Sequence, residues 1–203
     1  VLEKESVFGQ TFSYKGEEFA ISLAGVYQKE NAVLALNALE ELDSHGWTTT
    51  MEQRKDGLLH TSWKGRFTVI NKKPLFIVDG AHNAGAADKM AESVRHYFNG
   101  KKLIYIMGVF ADKEYKIVLE KTAHFAEKIY TIETPDNPRA LPAEELAKAA
   151  RVYNSSAEST KSIKDAVEKA FSCAGDDENS VILAFGSLSF IGALTNAVEE
   201  YVG

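Results

Sequence analysis

Three stretches of the sequence carry residue types that bind anions or move protons. Each sits where an apolar run gives way to a helical pattern. The first, Asp79–Gly85, lies within VDGAHNAGAA. Asp79 ends an apolar run where packing has no use for a carboxylate, and Gly80 permits a tight turn. His82 and Asn83 then stand at the mouth of an Ala-rich helix. A helix N-terminus attracts anions through its free N–H groups and macrodipole, and His can add a proton or hydrogen bond there. Residue type alone leaves two readings open: an anion or nucleotide contact, or a helix capped by Asp79 or Asn83 beside an exposed His82. The second stretch, Gly108–Lys113 in MGVFADKEY, offers Asp112 as an N-cap and Lys113 as an anion contact or a solvated cation. The third, Gly186–Gly192 in FGSLSFIG, offers Gly186 for close backbone approach. Its Ser187 and Ser189 hydroxyls can cap a helix or hold a ligand carboxylate.

Two more residues stand apart. Arg66, in WKGRF, follows a glycine turn, and its guanidinium suits bidentate phosphate binding. A surface ion pair is its plainer role. Asn31, in GVYQKEN, can present an amide to a nucleotide base or simply cap the first full helix. The sequence contains no G-x-x-x-x-G-K-[ST] phosphate loop, no G-x-G-x-x-G dinucleotide fingerprint and no G-x-S-x-G nucleophile elbow. The lone Cys173 falls late in a helical pattern, which suits a small core residue, and no Cys/His spacing fits zinc.

The elements that must position these residues can be read from periodicity. Val7–Tyr14 and Glu18–Leu23 alternate apolar and polar residues around a Lys15–Gly16 turn. Asn31–Leu42 has helical spacing, with Ala32, Ala35, Leu36 and Leu39 on one face. A hairpin and one helix bury little apolar surface, so this piece reads as the tail of a larger domain. Residues 43–65 form a connector in which Thr48–Thr50 cap a short helix through about Leu59. Strands are then expected at Arg66–Ile70, Leu75–Val78, Lys102–Gly108, Lys128–Ile132, Val152–Ser155 and Val181–Phe185. Runs such as LFIV, LIYIM and VILAF are typical of strands buried on both faces of a parallel sheet. Helices are expected between them at Ala86–Phe98, Glu114–His124, Pro142–Ala150 and Ile163–Ser172, with Ile191–Tyr201 at the end. That order implies a doubly wound α/β domain with a mostly parallel sheet. Right-handed crossovers would bring the three glycine stretches to one sheet edge, where such folds bind ligands.

The composition is that of a globular protein: 203 residues, 45% apolar and 26% charged, with net charge −6. It excludes collagen-like, low-complexity and disulfide-scaffold classes. The acidic balance argues against a nucleic-acid partner. No signal-peptide pattern opens the chain, and no apolar run reaches the ~18–20 residues that span a bilayer. No membrane partner and a cytoplasmic location are therefore the expectations. Residue 1 is Val, so the sequence reads as a processed or partial chain.

GVYQKENAVLALNALE, GLLHTSWKGRF, VDGAHNAGAA, a DK-containing turn and FGSLSFIG follow one another in this order. Together they resemble the C-terminal part of the folylpolyglutamate synthases, some of them bifunctional dihydrofolate synthases, within the Mur ligase superfamily. The resemblance runs through nearly the whole chain. Lys64 and Ala84 stand where the family usually has proline, and Ser189 where an aromatic residue is common. The resemblance implies an end piece of a central P-loop ATPase domain at residues 1–45. A connector at 46–65 and a Rossmann-like ligase domain at 66–203 would follow. It implies ATP, L-glutamate and a folate or pteroate as substrates. Mg2+ would have its ligands in an upstream portion, with no metal ligand in this chain. It places Asn31, Arg66 and Asp79 in the ATP site, Asn31 against the base and the other two against phosphate or ribose. It sets His82 and Ser187 at the reaction centre, where they receive the incoming glutamate. Without the upstream domain the chain is expected to be inactive. The competing readings are a cell-wall Mur-type ligase acting on a UDP-sugar acceptor, and a non-catalytic Rossmann-like module that binds a nucleotide or amino acid.

Overall fold

A computed structural model describes residues 5–203, so the start at Val1 lies outside the described residues. The chain divides into two compact units, Val1–Thr68 and Val69–Gly203.

The first unit opens with three antiparallel strands in the order β1 (Glu5–Ser6), β2 (Gly9–Tyr14) and β3 (Glu17–Ile21). Lys15 and Gly16 make the β2–β3 turn, both with positive φ, as a two-residue hairpin loop requires. Phe12 and Phe19 face each other across the pair, with ring centroids 5.6 Å apart, and are buried with Ile21. Helix α1 spans Gln28–Ser44 and buries Gln28, Ala32 and Leu36, a row at four-residue spacing. Ala35, expected on that face, is exposed because the row that meets the hairpin lies one position away from it. Helix α2, Met51–His60, starts on a complete capping box: the Thr50 hydroxyl accepts from Gln53 N and the Gln53 side chain accepts from Thr50 N. Its Arg54 pairs with Asp43 and its Lys55 with Glu17, which ties it to α1 and β3.

In the second unit, strands β4 (Thr68–Lys72, which begins at the boundary), β5 (Leu75–Val78), β6 (Lys102–Met107), β7 (Lys128–Thr131), β8 (Ala157–Ser159) and β9 (Ser180–Phe185) form one sheet. Its order is β4-β5-β9-β6-β7-β8, and β5 through β8 run parallel along that order. Helices α3 (Ala84–Phe98), α4 (Tyr115–Thr122), α5 (Ala143–Ala150), α6 (Ile163–Ala174) and α7 (Ile191–Val202) alternate with the strands. Alternate side chains of each strand point to opposite faces. Phe76, Ile104, Ile106, Ile182 and Ala184 form one core with α6 and α7. Ile77, Tyr105, Met107, Leu183 and Phe185 point the other way and are equally buried. Both faces are therefore covered, which explains why these strands read as continuous apolar runs. The doubly wound, mostly parallel α/β class is the one expected.

Two strand assignments need correction. Val152–Ser155 is not a strand: Val152 is 76% exposed and the segment closes the end of α5. Tyr153 and Asn154 donate backbone N–H groups to Ala150 O, and Asn154 Nδ2 caps Ala123 O and Ala126 O. These bonds outweigh the β propensity of Val and Tyr, and the strand forms instead at Ala157–Ser159 against β7. The first strand of the sheet begins at Thr68 rather than Arg66, because Phe67 takes a left-handed backbone (φ 47°) that breaks extended geometry. Cys173 is partly buried in α6 and packs against the core. Among the described residues no helix is long and apolar enough to cross a membrane.

Candidate functional site

The chain lays down β5, then β6, β7 and β8, and finally inserts β9 between β5 and β6. The carboxyl ends of β5, β9 and β6 are therefore neighbours, and the three glycine stretches leave the sheet side by side. This is the topological switch point, where open α/β sheets have their ligand crevice. The backbone is held tightly there: Asp79 N donates to Ala184 O (2.9 Å) and Gly108 N to Phe185 O (3.3 Å). Gly186 has φ +117°, and a Cβ on it would stand 2.4 Å from Gly108 O. No other residue fits without moving the end of β6.

A cavity of about 210 Å3 opens at this edge, lined by His82, Phe110, Lys113, Gly186, Ser187, Leu188 and Ser189. His82 Nδ1 lies 2.7 Å from Gly80 O. A carbonyl only accepts, so Nδ1 carries the hydrogen, and the neutral ring keeps Nε2 as its lone-pair nitrogen. The Ser187 hydroxyl is buried, accepts from Ser189 N (3.2 Å) and shares a hydrogen bond with Ser189 Oγ (2.7 Å). Ser187 thus caps the 3-10 turn Leu188–Phe190 that leads into α7 and lines the cavity as well. The Lys113 ammonium has no described partner and adds a cation to the wall.

The mouth of α3 shows which residue caps the helix. Asn83 is the N-cap, with Oδ1 accepting from Ala86 N at 2.9 Å. The Glu114 carboxylate accepts from Ala84 N at 3.1 Å. These two helix N–H groups already serve protein acceptors. Asp79 is buried and turns the chain by accepting from Ala81 N at 2.7 Å. Asp112 does not cap α4: Glu114 occupies that N-cap position and Asp112 pairs with Arg139 at 3.4 Å.

The structure therefore brings His82 and Ser187 to one cavity, with Asp79 at the strand end that leads to His82. Arg66 and Asn31 belong to the first unit. Arg66 is half-buried, and its guanidinium forms no ion pair or hydrogen bond with a described residue. Asn31 is exposed and donates Nδ2–H to Gln28 Oε1 at 3.0 Å. Phe110 went unnoticed in the sequence. It looks like a core residue of an apolar run, yet it lines the cavity and carries the Arg139 guanidinium 4.5 Å from its ring centroid. Among the described residues no group of three or more His, Cys, Asp or Glu could hold a metal ion, so these side chains offer Mg2+ no cluster of ligands.

The second unit is thus a doubly wound sheet with an imidazole, an ammonium and two hydroxyls around a switch-point cavity. The family model described as Mur ligase, glutamate ligase domain matches residues 65–188, and the chain belongs to that family. Among its relatives, the dihydrofolate synthase/folylpolyglutamate synthase of Bacillus subtilis (strain 168) is 29% identical over 94% of this chain and 45% of its own length. The folylpolyglutamate synthase of Lacticaseibacillus casei is 28% identical over 66% of this chain and 33% of its own length. The chain thus spans less than half the length of these relatives. A crystal structure of Mycobacterium tuberculosis folylpolyglutamate synthase complexed with ADP and AMPPCP shares the fold. It has a TM-score of 0.80 at 23% identity, over 99% of this chain and 47% of that one. The folylpolyglutamate synthase from Thermotoga maritima superposes with a TM-score of 0.78 at 25% identity, over 98% of this chain and 46% of that one.

Proposed function

We propose that this chain is the C-terminal portion of an ATP-dependent ligase. The ligase adds glutamate to the terminal carboxylate of a folate and, in a bifunctional form, also makes dihydrofolate from a pteroate. The observation that carries this reading is the cavity at the carboxyl edge. It combines His82, Lys113, Ser187 and Ser189 in a member of the glutamate ligase domain family. Residues 1–45 are read as the end of a P-loop ATPase domain, 46–65 as a connector and 66–203 as the ligase domain.

In the first step the acceptor carboxylate takes the γ-phosphoryl group of ATP, which gives an acyl phosphate and releases ADP. In the second, the glutamate amine, having lost a proton, attacks the acyl carbon. Phosphate leaves with the bonding pair, and an amide remains. Positioning and charge neutralisation do most of the work in phosphoryl transfer. Arg66 offsets phosphate charge, Asn31 reads the base, and Asp79 contacts a ribose or phosphate group. His82 Nε2 accepts a proton from the glutamate ammonium. The Ser187 hydroxyl and the Lys113 cation hold the glutamate carboxylates.

The experiment is a ligation assay with ATP, L-glutamate and tetrahydrofolate, read as ADP release and as product mass. The full-length protein is expected to form the glutamyl conjugate, and the 203-residue chain alone is expected to form none. Robust turnover by the chain alone, or a full-length protein that prefers a UDP-sugar acceptor, contradicts the reading.

A further inference from the structure

The geometry points to Glu114 as a positioning residue that holds Lys113 opposite His82 across the carboxyl-edge cavity, and so tightens capture of L-glutamate. The inference rests on the proposed roles of His82 and Lys113.

Three strand exits wall the cavity. His82 belongs to the β5 exit, Phe110 and Lys113 to the β6 exit, and Gly186–Ser189 to the β9 exit. Strand β9 lies between the other two and is tied to each by backbone: Asp79 N donates to Ala184 O, and Gly108 N to Phe185 O. Strands β5 and β6 are not neighbours, so no ladder bond can join their exits. The Glu114 side chain spans that third side. Its Oε2 accepts from Ala84 N at 3.1 Å. A carboxylate oxygen only accepts and a backbone N–H only donates, so the sense of this bond is fixed. Ala84 lies two residues past His82, and Glu114 follows Lys113 directly.

The residue type suits a brace better than a local helix role. Glu114 is the N-cap residue of α4, a position that favours the short side chains of Ser, Thr, Asp and Asn. It makes no capping bond to its own helix. Its longer side chain crosses instead to the first turn of α3, where the macrodipole favours a negative charge. On the other flank the β6 exit is held to the loop after β7: Ala111 N donates to Arg139 O at 2.8 Å and Leu141 N to Val109 O at 3.0 Å. Further along, Lys121 pairs α4 with Asp88 of α3. Loss of the Glu114 bond therefore leaves the helices docked and loosens only the mouth of the cavity, where Lys113 and His82 must face one substrate.

The test measures kcat and the KM values for L-glutamate and ATP in the full-length ligase. The variants are Glu114→Gln, Glu114→Asp, Lys113→Ala and the Lys113→Ala/Glu114→Asp double variant. Glutamine keeps the reach and an acceptor oxygen but loses the charge. Aspartate keeps the charge and can cap α4, but falls one methylene short of Ala84. Glu114→Asp is expected to raise KM for L-glutamate about fivefold and leave KM for ATP unchanged, while Glu114→Gln stays within about twofold of wild type. In the Lys113→Ala background the aspartate substitution is expected to add less than about twofold, since the side chain it places is gone. An unchanged KM for L-glutamate in Glu114→Asp overturns the inference, as does a fall in kcat or melting temperature alone, which is what a merely structural bond would give. If glutamine raises KM as well, the double variant decides, and a rise of equal size with and without Lys113 overturns the inference. If Lys113→Ala itself leaves KM for L-glutamate unchanged, the reading of the cavity is wrong and the inference falls with it. Should the aspartate variant fail to fold, Glu114→Ser, which also caps helices and also falls short of Ala84, carries the same expected rise, and its absence overturns the inference.

Discussion

Both edges of the second unit's sheet open into cavities, and the smaller one is the better built. At the amino edge, about 400 Å3 lies between Lys72–Leu75 and Gly175–Ser180. Its charges sit on exposed side chains: Lys73 and Glu178 approach to 3.4 Å while each is more than four-fifths exposed. Gly175 turns there with open space around it, so a side chain would meet nothing within 4 Å. At the carboxyl edge the cavity is half as large. Its walls are fixed by Gly186 against Gly108 O, by the His82–Gly80 bond and by the Ser187–Ser189 pair. Volume follows from where the sheet happens to end. A site needs side chains whose orientations are already fixed before the substrate arrives. The difference arises from topology: insertion of β9 between β5 and β6 crowds three strand exits at one edge and leaves simple turns at the other.

Paired substitutions can break this contrast. The largest expected effect is on folding. Gly186→Val forces a positive-φ position and a backbone clash, and is expected to cost roughly 3 kcal/mol or more. Gly175→Ala, also at positive φ (58°, with ψ −151°) but in open space, should cost about 2 kcal/mol, from backbone conformation alone. Urea denaturation of the two variants compares them, and equal losses would mean that the carboxyl edge is no more tightly built than the other.

Next comes catalysis. In the full-length ligase His82→Ala is expected to lower kcat by about a hundredfold or more, as loss of a general base does. Lys73→Ala at the amino edge should change neither kcat nor stability by a measurable amount. Steady-state rates decide it. Smaller again is Ser187→Ala, expected to raise KM for L-glutamate about tenfold through one lost hydrogen bond to a charged group. Its kcat should stay close to wild type.

The smallest effect lies away from both edges and supplies a baseline. Lys128 and then Lys169 hold the Glu158 carboxyl below its ordinary value. A lowered folded pKa contributes stability above the ordinary carboxylate range, lost as pH falls through the folded value. Glu158→Gln should therefore cost less than about 1 kcal/mol at neutral pH, after solvent screening of these partly exposed pairs. That cost should vanish in acid, as thermal melts across pH can show.

The fold was largely legible from the sequence because both signals it depends on are local. Apolar runs such as VILAF mark buried strands, and a capping residue such as Thr50 marks a helix start. The segment at Val152–Ser155 misled because two residues with β propensity close a helix there, and only the tertiary bonds of Asn154 reveal it. At the site, the glycine stretches announced the convergence, but not the division of labour within it. Asn83 and Glu114 satisfy the helix mouth, while His82 and Ser187 meet at the cavity. The Glu114–Ala84 bond and the meeting of His82 with Ser187 cross thirty or more residues, and spacing along the chain does not carry them. Phe110 stayed hidden because it sits in a place where an ordinary packing role explains its residue type.

Hydrogen–deuterium exchange of the full-length protein, with and without an ATP analogue and L-glutamate, tests the central contrast directly. Ligand-dependent protection is predicted in segments 79–86 and 186–192 at the carboxyl edge, with none in 72–75 and 175–180 at the amino edge. Protection confined to the amino edge, or absent from both, would contradict the assignment of the site to the carboxyl edge.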